Sequence, residues 1–116
     1  MQFRKERTMT RVEILKIYDG LADSCPRFDR KGKTMPYTSA NGYMFSLVNK
    51  ENQLGIRFSK EVQKKYMEKF ETTIFKSYNA VMKGYILIPE KLLADSEHMV
   101  QLLNESYDYV MSLESK

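Results

Sequence analysis

The chain has 116 residues, 42% of them hydrophobic and 29% charged, with a net charge of +4, a size and composition that suit one domain able to bury a single core without a metal or disulfide. Its one cysteine, Cys25, excludes an internal disulfide and every structural zinc site built on several thiolates. Apolar runs as short as Tyr85-Ile86-Leu87-Ile88 exclude a transmembrane helix.

From Met1 to Arg7 the N-terminus is charged, and no apolar stretch follows it, so no secretory signal is expected and the expected address is cytoplasmic. Residues 1–33 carry nine Lys/Arg against five Asp/Glu, whereas residues 34–116 carry ten of each. The excess charge therefore lies in the leading segment, which includes a basic tail over about residues 1–9. Arg4, Lys5, Arg7, Arg11, Arg30 and Lys31 are candidate contacts to nucleic acid or to an acidic partner. The competing reading is a solvated helix face behind a ragged basic terminus.

Thr10-Arg11-Val12-Glu13 has the form of a capping box and predicts a helix start. Ile14, Ile17, Tyr18, Leu21, Ala22 and Cys25 follow at helical spacing, and Pro26 blocks continuation. Residues 26–41 hold Pro26, Gly32, Pro36 and Asn41 without a sustained period, and read as a long loop or an irregular edge strand around Lys33-Thr34-Met35. A β-hairpin comes next. Tyr43, Phe45 and Leu47 are expected on one face and Met44, Ser46 and Val48 on the other, Asn49-Lys50-Glu51-Asn52 forms the turn, and Leu54, Ile56 and Phe58 alternate along the return strand.

Ser59 is a candidate N-cap for a helix over about 60–70, with Val62, Tyr66 and Phe70 as its apolar stripe. Thr72-Thr73-Ile74-Phe75 and Val81 to Ile88 are β-prone, and Pro89 closes the second of these. Pro89 to Leu93 suits a short helical turn, Asp95 a cap, and Val100, Leu103, Tyr107 and Val110 a stripe on a final helix. The order predicts an α+β domain in which an antiparallel sheet with a hairpin is packed by an N-terminal and a C-terminal helix.

No catalytic constellation is visible. His98 falls in the first turn of the last helix, where an exposed structural residue is expected, and Cys25 lies on an apolar helix face, where thiols resist ionisation. The five glycines form neither a phosphate-cradling loop nor a nucleophile elbow. Glu90, Asp95 and Glu97 read as solvated acids at a helix start rather than as a paired-carboxylate or metal site. No cofactor is called for.

The polar stretch Lys33 to Asn41 is the strongest recognition candidate, because Lys33, Tyr37, Thr38 and Asn41 bring an ammonium, hydroxyls and an amide together, with Lys83 reachable from a facing strand. Such groups can hold an anion or polar ligand, or merely satisfy the loop's own backbone. Met35, Met44 and Met82 either line an adaptable groove or fill a core.

Residues from about Lys33 to Ser112 resemble the N-terminal domain of the TfoX/Sxy family of bacterial competence regulators. Asn41 to Val48 is similar to that family's second strand, with a turn glycine followed by Met-Phe, and Gln53 to Arg57 to its partner strand. Met82 to Asp95 resembles its last strand and the entry to its closing helix, and Thr10 to Cys25 would be the leading helix. Where the family has Met-Phe-Gly-Gly and an additional strand, this chain has Met35 to Ala40. The YjbR-like proteins are the nearest alternative. The resemblance implies a stand-alone regulatory or accessory domain, non-enzymatic, contacting protein or nucleic acid, and transfers no catalytic residue. A small-ligand or anion-binding domain using the 33–41 loop is the other reading, and an exposed sheet edge would also permit a homodimer.

Overall fold

Residues 9–116 are described in the computed structural model. Helix α1 (Arg11–Asp23) opens with a complete capping box: the Glu13 N–H donates to Thr10 Oγ1 at 3.1 Å, and the Thr10 N–H to the Glu13 carboxylate at 2.9 Å. It ends at Ser24, two residues before Pro26. Strands β1 (Tyr37–Ala40), β2 (Tyr43–Val48), β3 (Leu54–Arg57), β4 (Ile74–Ser77) and β5 (Ala80–Leu87) form one sheet in the order β1-β2-β3-β5-β4, antiparallel throughout. Helices α2 (Lys60–Lys69), α3 (Glu90–Leu93) and α4 (Ser96–Met111) complete an α+β fold.

Ser59 and Asp95 cap α2 and α4 as their spacing predicts. The main core joins Ile14, Tyr18 and Leu21 of α1 to Phe45, Val48, Ile56 and Ile86 of the sheet and to Met99, Leu102 and Leu103 of α4, with Val62, Tyr66 and Phe70 of α2 packed against it. All three long helices therefore serve one face of the sheet.

The fourth strand runs two residues later than the β-prone stretch Thr72–Phe75, and two larger features also differ from the sequence reading. The first edge strand begins at Tyr37, not around Lys33-Thr34-Met35, and Lys31 is bridged to it by two backbone bonds, Lys31 N–H to Tyr37 O at 2.7 Å and Tyr37 N–H to Lys31 O at 2.9 Å. Pairing with β2 sets this position, and a four-residue edge strand is too short to carry a period of its own.

The second difference is a β-bulge. Thr38 pairs with Ser46 but Ser39 with Met44, which leaves Phe45 as the extra residue. Phe45 and Ser46 accordingly both face the helices, while Met44 and Leu47 face away, so the strict alternation fails in the middle of β2. The bulge delivers the Ser46 hydroxyl to 2.5 Å from Tyr18 OH and 2.5 Å from Thr38 Oγ1, and all three residues are fully buried. Burial pushes the Tyr18 phenol up to about 12, offset in part by its bonds to Ser46 and Thr38.

On the far face of the sheet the β4–β5 hairpin covers the strands itself. Its turn, Tyr78-Asn79, has φ of 54° and 64°, the pattern of a two-residue type I′ turn. The β5 strand carries extra residues around Gly84, where φ is +86°. The hairpin is thereby bent across the outer face: Phe75 lies so close over Gly55 that a Cβ there would sit 2.4 Å from its ring, and Tyr85 OH donates to Met44 O at 2.8 Å. Leu47, Phe75 and Tyr85 make a second, smaller core, and Met35, Met44 and Met82 pack around it as filler.

Asn49 holds the bend in place. It is 1% exposed. Its Oδ1 accepts from the Glu51 and Gln53 N–H groups, and its Nδ2 donates to Gln53 Oε1 at 3.0 Å and to Lys76 O at 2.8 Å. Its own carbonyl accepts from Arg11 Nη1 at 2.7 Å.

Removing the Asn49 carboxamide takes the partner from two part-buried backbone N–H groups and a strand carbonyl, so Asn49→Ala is expected to lower the unfolding free energy by about 2 kcal/mol in urea denaturation. The Tyr18 phenol has its folded-state pKa raised from 10.0 to about 12, so its contribution is complete below about pH 10 and is withdrawn as the pH climbs toward 12. Stability measured across that window is expected to fall, and to fall less steeply in Tyr18→Phe.

Candidate functional site

Asn41 and Gly42 turn β1 into β2 with φ of 56° and 85°. The segment after α4, residues 112–116, crosses this turn and is tied to it from several sides. Asn41 Nδ2 donates to Val110 O and Leu113 O, both at 2.9 Å, Tyr43 OH donates to Glu114 O at 2.7 Å, and the Lys116 N–H reaches Asn41 O at 3.4 Å. A Cβ on Gly42 would lie 2.6 Å from Lys116 Cβ, so the crossing needs glycine for space as well as for its φ.

Arg57, the last residue of β3, emerges at the same end. Its stem lies along Gly84, where a Cβ would come 3.3 Å from Arg57 Cγ. Its guanidinium carbon is 5.4 Å from the Tyr43 ring centroid and 5.7 Å from that of Tyr109 on α4. The Nε is enclosed with no acceptor, and among the described residues no carboxylate or carbonyl bonds the guanidinium. Lys116 Nζ stands 5.1 Å from the same Tyr43 ring, also without a carboxylate in ion-pair reach among the described residues.

The other described arginines are all engaged. Arg11 donates to Thr34 O at 2.5 Å, Asn49 O at 2.7 Å and Asn52 Oδ1 at 3.1 Å. Arg27 pairs with Asp108 at 2.9 Å and lies over Tyr107, and Arg30 pairs with Asp19 at 2.9 Å and donates to Gly32 O at 2.6 Å. A guanidinium taken partly out of water without an anion is costly, and the two rings return only about 1–2 kcal/mol of that. Arg57 thus presents a planar fork of donors suited to a carboxylate or phosphate oxygen pair.

The residues singled out from the sequence do not converge on one site. Arg11 and Arg30 are committed to structural bonds, Lys31 is exposed with its backbone joined to β1, and Arg4, Lys5 and Arg7 lie outside the described residues. Of the ligand set, Thr38 is fully buried against Ser46, Asn41 is spent on α4, Tyr37 is half-buried beside the second core, and Lys33 is exposed. Lys83 is exposed on β5, next to Gly84. Arg57, Tyr109 and Lys116 were not legible beforehand, since the sequence shows where a cation stands in the chain but not whether it finds a partner.

A groove of about 560 Å³ beneath β3 and β5, lined in part by Leu54, Glu71, Thr72, Leu87 and Pro89, is less suited to recognition. Two of its neutral polar side chains are already used: Asn52 Nδ2 donates to Met9 O, and Thr72 Oγ1 donates to Leu87 O. Among the described residues no group of His, Cys, Asp and Glu is arranged to hold a metal ion, and no helix is long and apolar enough to cross a membrane.

His98 packs edge-on against Phe70, with ring centroids 5.5 Å apart, and stands 4.0 Å from Asp95, whose carboxylate caps α4. Cys25 is 1% exposed and receives a bond from Asn104 Nδ2 at 3.8 Å. Burial pushes its thiol pKa up, against smaller lowering effects of Arg27 and the Asn104 bond. In the native protein Cys25 is expected to react with an aromatic disulfide reagent at least about 100-fold more slowly than a free thiol and to react fully once urea unfolds the chain, read by absorbance of the released thiolate. Compared with known proteins, the chain matches no protein-family model and no curated protein.

Proposed function

We propose that this chain is a non-catalytic binding domain whose partner, a nucleic acid or another protein, presents an anionic group to Arg57. The observation that carries the reading is the guanidinium itself: it is half-buried between Tyr43 and Tyr109, with Nε enclosed and no anion supplied by the described residues. Because the cost of holding an uncompensated cation there is met in every folded molecule, the site gains most from an anion brought from outside. The unreactive setting of Cys25 and the structural packing of His98 support a role in binding rather than catalysis. The resemblance of residues 33–112 to a regulatory domain points the same way. The 33–41 loop supports a ligand site less well, since Thr38 and Asn41 are consumed by the fold.

The test is a titration of isotope-labelled protein with a single-stranded oligonucleotide and with polyglutamate, at low and high salt. The Arg57 Nε–H resonance is expected to shift with at least one of them, more weakly as salt rises. Arg57→Ala is expected to weaken that binding at least about tenfold, equivalent to about 1.4 kcal/mol, without lowering the unfolding midpoint. If neither polyanion moves the resonance, or Arg57→Ala binds like the parent chain, the reading is wrong.

A further inference from the structure

Taking the anion site at Arg57 as given, we infer that the group it receives is a doubly charged phosphoryl group, with Lys116 as the second cation. Arg57 does not face its ligand alone. Its guanidinium and the Lys116 ammonium lie 5.4 Å and 5.1 Å from the centroid of one and the same ring, that of Tyr43, and neither has a carboxylate in ion-pair reach among the described residues. Glu114, on the same segment, engages Tyr43 through its backbone carbonyl.

Lys116 is positioned rather than loosely trailing. Its backbone N–H is bonded to Asn41 O, its Cβ rests on Gly42, and the residues before it are fixed by Asn41 Nδ2 on Leu113 O and Tyr43 OH on Glu114 O. Both positive charges therefore stand beside the same ring, and no described carboxylate is in ion-pair reach of either. A carboxylate or a phosphodiester brings one negative charge and leaves one cation unmatched. A phosphate monoester carries close to two above its second pKa of about 6 and has three oxygens, enough for the Arg57 fork and the Lys116 ammonium together. Tyr109, half-buried beside Arg57, offers an aromatic surface to whatever bears the phosphoryl group.

The experiment compares phenyl phosphate with benzoate, the same ring bearing a dianion or a monoanion, by the shift of the Arg57 Nε–H resonance. Inorganic phosphate is run alongside. At pH 7.5 phenyl phosphate is expected to bind at least about tenfold more tightly than benzoate, and its affinity to rise from pH 5 to 7 as the second proton leaves while that of benzoate stays level. Lys116→Gln is expected to remove most of the phosphoryl advantage and leave benzoate within about twofold. Inorganic phosphate equal to phenyl phosphate identifies a free ion as the ligand, and a weaker inorganic ion identifies an ester; both outcomes uphold the phosphoryl class. Equal affinities for phenyl phosphate and benzoate, or a Lys116→Gln variant that retains the full difference, would overturn the inference while leaving the anion site intact. No shift with any of the three ions would remove the anion site itself.

Discussion

Everything on the outer side of the sheet depends on the buried carboxamide of Asn49. Its oxygen closes the β2–β3 turn by accepting two backbone N–H groups, and its nitrogen reaches across to the carbonyl of Lys76 on β4. Its backbone oxygen is held in turn by Arg11, whose guanidinium also grips the 34 loop through Thr34 O. One residue and one guanidinium therefore join the leading helix, the loop before β1, the central turn and the last hairpin. Without that link the hairpin would have no polar reason to lie back over Leu47 and Gly55, and the second core would be exposed along one side.

This arrangement explains how the chain places its basic residues. Leading arginines that look in sequence like an electrostatic footprint are structural in three dimensions: Arg11, Arg27 and Arg30 each end on carbonyl, amide or carboxylate oxygens. The single guanidinium left without such an oxygen among the described residues is the one at the end of β3, in a segment whose net charge is balanced. Regional charge is a poor guide to where a partner docks when the fold itself draws on the same cations. What distinguishes Arg57 is the absence of a local anion combined with two ring faces that hold the side chain in place.

Helices were the most legible part of the sequence, because capping at Thr10, Ser59 and Asp95 and the 3.6-residue period are local signals that survive tertiary packing. The hairpin was legible as a hairpin, but the side-chain phase of β2 was not. The bulge at Phe45 is imposed by the partner strand, and nothing in Tyr43 to Val48 records it. For β1 the same holds: its position depends on where Thr38 finds Ser46. The candidate site escaped notice for a related reason. It is assembled from β2, β3, α4 and the residues beyond it, and only the folded chain shows that Lys116 and Arg57 share a ring.

The hydroxyl relay of Tyr18, Ser46 and Thr38 constrains how this sequence can drift. Each of the three groups owes its hydrogen-bond partner to another member of the set, with Ser46 in the middle. Replacing only Ser46 by an apolar residue strands the phenol and the threonine at once in a dry interior, whereas replacing all three by apolar residues of matching shape leaves nothing unsatisfied. The barrier to change therefore lies in the intermediates rather than in the end point. Alanine at Ser46 is therefore the step that cannot come first, whereas phenylalanine at Tyr18 or valine at Thr38 leaves the other two hydroxyls bonded to each other, so the middle member sets the order in which three codons in two distant parts of the chain can change.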